Sequence, residues 1–105
     1  MRFKTLAVAD LPALRRTHDP MLLDCRAVHD YRAGHLAEAL HAHDGLVESL
    51  IKRGDKQRSL VVYCYHGHSS EHVAELFCAF GFLDVYSLAG GYAAWLMCQQ
   101  QSQGV

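Results

Sequence analysis

The residue with the clearest chemical potential is Cys64, in the stretch Leu60-Val61-Val62-Tyr63-Cys64-Tyr65-His66-Gly67-His68-Ser69-Ser70-Glu71. An apolar run ends at the cysteine and a short polar loop follows. A cysteine there can act as a nucleophile if its thiol is ionised, and the backbone supplies a means. The N–H groups of a tight turn that opens a helix point at a common centre. The partial positive charge of the helix start adds to them, so a thiolate and a bound oxyanion are both favoured. Gly67 permits the positive φ such a turn needs, and Ser69 or Ser70 is placed to cap the helix. The competing reading is a small buried hydrophobe at a strand end, the commoner fate of a free cysteine. The loop alone does not choose between them.

The elements that must position the loop are legible on either side. Leu60 to Tyr63 is a continuous β-prone run of the kind buried on both faces of a parallel sheet. Val73, Leu76, Phe77 and Phe80 recur at helical spacing and predict one apolar face. Upstream, Phe3 to Ala7 predicts an edge strand, and Asp10 with Pro12 opens a helix reaching about Thr17. Met21 to Cys25 predicts a strand whose end carries Asp24 and Arg26, at the edge of the sheet where open α/β folds bind ligands. Those two side chains either pair with each other or touch substrate. Val28 to Ala33 predicts a helical turn ended by Gly34, and His35 to His41 a short extended piece. Leu46, Val47, Leu50 and Ile51 predict a helix ending near Gly54. Gly81 falls where a C-cap glycine belongs. Val85 to Leu88 predicts a last strand, Gly90-Gly91 a turn, and Tyr92, Trp95 and Leu96 the stripe of a final helix, with a frayed polar tail from Gln99 to Val105.

Composition bounds the function. The chain has 105 residues, half of them apolar, with a net charge of −1, which fits one soluble domain spanning residues 1–105 with a core of its own. No basic stripe suggests nucleic acid, and no apolar run approaches the length of a membrane span. Asp10 and Pro12 cut short the only candidate secretory segment, making the cytoplasm the expected compartment. Cys25, Cys64, Cys78 and Cys98 form no CxxC pair and no zinc-type spacing, so reduced thiols are expected. His41 and His43 alternate without a third ligand nearby. His35 reads as structural, with a backbone partner. A metal at Cys64, His66 and His68 is disfavoured, because loop amides that point inward force alternate side chains outward, and zinc wants four tetrahedral ligands. Neither metal nor cofactor is expected.

Four blocks in order resemble the rhodanese family, close to single-domain bacterial thiosulfate sulfurtransferases. They are Leu22-Leu23-Asp24-Cys25-Arg26, Tyr31-Arg32-Ala33-Gly34-His35-Leu36 with Ala39 following, the six-residue loop Cys64 to Ser69, and Tyr86-Ser87-Leu88-Ala89-Gly90-Gly91-Tyr92-Ala93-Ala94-Trp95. Together they cover about residues 21–95. The resemblance implies an α/β fold, a single rhodanese-like domain with a small five-stranded parallel sheet flanked by helices on both faces. It also implies a reaction. Cys64 takes the sulfane sulfur of thiosulfate or a persulfide donor, holds it as a persulfide, and passes it to a thiophile, cyanide in an assay or a thiol in the cell. The implied partners are a small anionic sulfur donor and a thiol acceptor, such as a redox or sulfur-carrier protein. Loop amides from Tyr65, His66, Gly67, His68 and Ser69, with Ser70, would bind substrate; Asp24, Arg26 and Glu71 would support the site.

Rival readings separate on particular residues. A cysteine-based phosphatase carries a phosphate-gripping arginine six residues after its cysteine, and that position is Ser70 here. A sulfur-relay or binding module, loaded by a partner and only incidentally active on thiosulfate, fits the same residues. Many thiosulfate-using relatives have a cation in or just after the loop. This chain has none there and opens its helix with Glu71, so weak thiosulfate binding is expected. Cys25, where the family usually has an aliphatic residue, reads as a core residue or as a resolving thiol beside Cys64.

Overall fold

The structure is a computed structural model that describes residues 2–103, with side chains through residue 100. Its strands are β1 (Lys4–Leu6), β2 (Met21–Asp24), β3 (Leu40–His41), β4 (Leu60–Tyr63) and β5 (Val85–Leu88). All pair in parallel in the order β1-β5-β4-β2-β3. The helices are α1 (Leu11–His18), α2 (Val28–Ala33), α3 (Asp44–Arg53), α4 (Ser69–Ala79) and α5 (Gly91–Gln103), with a 3-10 turn at Val8–Asp10 before α1. The expected five-stranded parallel sheet is therefore present.

Both faces are covered because successive strand residues point to opposite sides. Leu22, Val61, Tyr63 and Leu88 pack with Leu11 and Leu14 of α1 and Tyr92 and Trp95 of α5. Leu23, Leu60, Val62 and Val85 pack with α3 and α4 through Leu46, Val47, Leu50, Ala74 and Phe77. All four β4 residues are fully buried, which is why that segment reads as an unbroken apolar run. Each such side chain contributes about 1.5–3 kcal/mol relative to exposure.

Three local expectations are corrected. The buried face of α4 is Ser70, Ala74, Phe77 and Cys78, whereas Leu76 and Phe80 are 40% and 53% exposed. Small residues lie where the helix crosses β4 and β5, and the larger apolar side chains turn toward α3, lining a groove with Val47, Ile51 and Val73. Asp10 occupies the N-cap of α1 but makes no capping side-chain bond, since its backbone is already helical after the 3-10 turn. The supposed tail from Gln99 is helical through Gln103, as a continuation of α5; Gly104 and Val105 lie outside the described residues.

Candidate active site

Cys64 follows β4 directly, and the loop from Tyr65 to His68 returns the chain over its sulfur before α4 begins. The Cys64 Sγ accepts N–H groups from Gly67 at 3.2 Å and Ser70 at 3.3 Å. The Ser70 hydroxyl lies 3.4 Å from the same sulfur and 2.8 Å from the Ser87 hydroxyl. Burial works against ionisation of this thiol. The Ser70 hydroxyl and the amides of Ser70, Gly67 and His66 outweigh it, and the pKa falls below its ordinary value. What favours the thiolate here is thus a set of fixed dipoles rather than a cationic side chain.

What turns those amides inward is the start of α5. The Tyr92 N–H donates to the Cys64 carbonyl at 2.8 Å, and the Ala93 N–H to the Tyr65 carbonyl at 3.1 Å. Unsatisfied donors at a helix N-terminus thereby hold the loop carbonyls away from the sulfur. Close approach is essential, because a Cβ on Gly91 would lie 2.5 Å from the Cys64 carbonyl oxygen and 2.8 Å from that of Tyr65, at a φ of 59°. Gly91→Ala is expected to cost at least about 2 kcal/mol through backbone strain and this clash, and to slow Cys64 alkylation by displacing the loop. Urea unfolding and iodoacetamide kinetics measure the two effects. Gly67, with a φ of 96°, sits against Gly90 on the other side, where a Cβ would lie 3.0 Å from the Gly90 nitrogen.

Ser70 is not a cap. The N-cap of α4 is His68, without a side-chain cap bond, and Ser69 is exposed at the first helical position. Ser70, one residue on, is fully buried and presents both its N–H and its hydroxyl to the sulfur. Ser70→Ala is expected to raise the Cys64 pKa and slow alkylation at neutral pH about tenfold, the value of a hydrogen bond to a charged group, with recovery at alkaline pH. A pH–alkylation profile checks this, and an unmoved midpoint would remove Ser70 from the account.

Asp24 and Arg26 pair with each other. Arg26 Nη2 donates to Asp24 at 2.8 Å, its Nε reaches both carboxylate oxygens at 3.2 Å, and its backbone N–H donates to the same group at 2.8 Å. The guanidinium also donates to the Gly34 carbonyl and stacks 3.7 Å from the Tyr92 ring centre. Tyr65 ties the loop to α2: its hydroxyl donates to the Asp30 carboxylate and accepts the Ala27 N–H at 3.2 Å. His66 and His68 are exposed on the rim, as is Glu71 in the first turn of α4. Among the described residues no three His, Cys, Asp or Glu side chains converge as a metal site.

Three further histidines have local partners. His41 Nε2 lies 2.7 Å from the Arg26 carbonyl, His35 Nδ1 2.7 Å from the Tyr31 carbonyl, and His43 Nδ1 accepts the Leu46 N–H as the N-cap of α3. Sequence reasoning missed Ser87, Tyr92 and Ala93 as site residues. Their signal was the block Tyr86 to Trp95 with its glycine pair at Gly90-Gly91, which marked the segment without giving those residues a role.

The rhodanese-like domain model matches residues 7–98, and the chain belongs to that family. A thiosulfate sulfurtransferase, GlpE, of Shewanella oneidensis is 38% identical over 93 residues, covering 89% of this chain and 92% of the relative. Among solved structures, the human single-domain sulfurtransferase TSTD1 superposes with a TM-score of 0.78 at 21% identity, covering 89% of this chain and 95% of that one. A Rhodopseudomonas palustris protein of unknown function, described as a possible tyrosine phosphatase, gives a TM-score of 0.79 at 24% identity, covering 92% and 82%. At those identities the two structures establish the shared fold.

Proposed function

We propose that the protein is a thiosulfate sulfurtransferase in which Cys64 carries sulfur as a persulfide. The observation that carries this reading is the thiolate cradle, with two amides and the Ser70 hydroxyl on Sγ at 3.2–3.4 Å; the name of the Shewanella relative supports it. The Cys64 thiolate attacks the outer sulfur of thiosulfate, the S–S bond breaks, and sulfite leaves with the bonding electron pair. A thiophile then attacks the outer persulfide sulfur and regenerates the thiolate, a double displacement. Negative charge stays at one place throughout, so fixed amides stabilise thiolate, transition state and persulfide with little reorganisation. Phosphoryl transfer is disfavoured because Ser70, at the position of the phosphatase arginine, is buried against Cys64 and Ser87.

Mass spectrometry after incubation with thiosulfate tests the proposal. One added sulfur atom at Cys64, removed by cyanide as thiocyanate, is the expected result, and no addition at Cys64 would overturn it. Comparing thiosulfate with a persulfide-loaded cysteine desulfurase as donor then separates an enzyme of thiosulfate from a relay module.

Glu71 modulates the donor step. Glu71→Lys moves two charge units near a dianionic substrate. At near-bulk dielectric and after salt screening this is worth about 1 kcal/mol, or about fivefold in KM for thiosulfate at low salt. Steady-state kinetics at two ionic strengths check it; an unchanged low-salt KM would place Glu71 outside the substrate's field.

A further inference from the structure

Cys25 stands beside Cys64, in register and on the same face of the sheet. The β2–β4 ladder pairs Leu23 with Val62 and Asp24 with Tyr63, the last pair being closed by the Cys25 N–H, which donates to the Tyr63 carbonyl at 2.8 Å, so Cys25 and Cys64 are the residues that follow it on the two strands. Leu23 and Val62, two residues earlier on each strand, both face the α3 and α4 layer, and Cys25 packs against that same cluster. Ser70 of α4, which contacts the Cys64 sulfur, places that sulfur on this side too. Adjacent strands are about 4.8 Å apart, inside the Cα separation of about 4.4–6.8 Å that a disulfide spans. All four cysteines are free in this structure. Cys78 lies on α4 and Cys98 on α5, so neither shares this register.

We infer that Cys25 and Cys64 are a redox-modification site: when a hydroperoxide oxidises Cys64, Cys25 closes a reversible disulfide with it. The inference rests on a nucleophilic Cys64, not on sulfur transfer. In the first step the Cys64 thiolate attacks a peroxide oxygen. The O–O bond breaks, and the departing oxygen takes up a proton as alcohol or water, leaving a sulfenic acid. In the second, Cys25 attacks Cys64 Sγ and the S–O bond breaks. The hydroxide leaves with the Cys25 proton as water. One peroxide and two thiols thus give one disulfide, one alcohol or water, and one further water. An external dithiol returns both cysteines to thiols, entering at Cys25 so that Cys64, the thiol of lower pKa and the better leaving group, departs.

The reduced pair does not compete with the nucleophile's own chemistry. Burial pushes the Cys25 thiol up to about 12, and the charges of Cys64 and Asp24 add to it. Cys25 is therefore held as a protonated bystander, while the loop dipoles favour ionisation of Cys64. Conversion of Cys64 to a neutral sulfenic acid removes one of the charges that hold the Cys25 proton, and attack becomes easier once the target exists. Without a resolving thiol, a sulfenic acid proceeds to the irreversible sulfinic and sulfonic acids.

The test treats reduced protein, free of thiosulfate, with hydrogen peroxide and follows intact mass and peptide maps. The expected product of the unmodified sequence has lost two hydrogens, yields a Cys25–Cys64 cross-linked peptide, and regains Cys64 alkylation with dithiothreitol. Cys25→Ala and Cys25→Val should instead gain two or three oxygens at Cys64, with dithiothreitol recovery lowered at least about fivefold. Oxygen uptake at Cys64 without the cross-link, a cross-link through Cys78 or Cys98, or equal recovery in the Cys25 variants would each overturn the inference. The first two readouts need no variant, so a misfolded substitution leaves the test intact.

Discussion

Cys64→Ser is expected to lower thiosulfate-to-cyanide sulfur transfer at least about a thousandfold, the scale of losing a covalent nucleophile from a site whose other parts stay in place. Serine keeps the size and the hydrogen-bonding partners of the buried side chain. Its hydroxyl does not ionise in this cradle near neutral pH, however, so no anion is available to attack sulfur. The fold should survive, because Gly67 and Ser70 can still bond an oxygen where they met a sulfur. Thiocyanate release, read beside a melting curve, separates loss of the nucleophile from loss of the fold. Turnover retained within tenfold by a well-folded variant would move the chemistry to another residue.

The second large effect is on stability. Asp24 is fully buried and Arg26 is 6% exposed. Asp24→Asn removes the charge and leaves a buried guanidinium uncompensated, at an expected cost of about 3–5 kcal/mol. For a protein of this size, with a total stability of about 5–15 kcal/mol, that corresponds to a fall in Tm of at least about 12 °C. Asp24→Leu combined with Arg26→Met, which removes both charges, should be less damaging than Asp24→Asn alone. Urea denaturation of the three proteins decides it. A single variant that costs less than about 1 kcal/mol would mean that Gly34 and the Tyr92 ring already satisfy Arg26 without Asp24.

Much of this molecule can be read from local chemistry. The β-prone run from Leu60 to Tyr63, the break at Cys64, the permissive Gly67 and the periodic segment after it are properties of neighbouring residues, so strand, loop and helix follow from them without knowledge of the rest of the chain. Asp24 and Arg26 lie two residues apart at a strand end, close enough for their pairing to be one of two readings. The arrangement of all five strands came from four motif blocks taken together, since no single strand states its neighbours.

Other features depend on residues far apart in the chain, and for those the tertiary structure decides. Local periodicity gave α4 an apolar face through Leu76 and Phe80. Contact with β4 and β5 instead selects Ser70, Ala74, Phe77 and Cys78, with small side chains at three of the four positions and Phe77 filling the core between helix and sheet. A hydroxyl at Ser70 looks like a helix cap in one dimension. It becomes a sulfur ligand once Ser87, on a neighbouring strand, meets it at 2.8 Å. The cradle's amides are turned by Tyr92 and Ala93, about thirty residues away, through a contact that Gly91 leaves room for. Cys25 changes from a core candidate to the neighbour of the nucleophile only through strand register. Residue types and spacing determined that this chain could hold a thiolate at Cys64. The packing of β2, β5 and the start of α5 around it decided which dipoles face the sulfur and which second thiol stands beside it, because those distances are set by pairing and packing between elements that the chain order keeps apart.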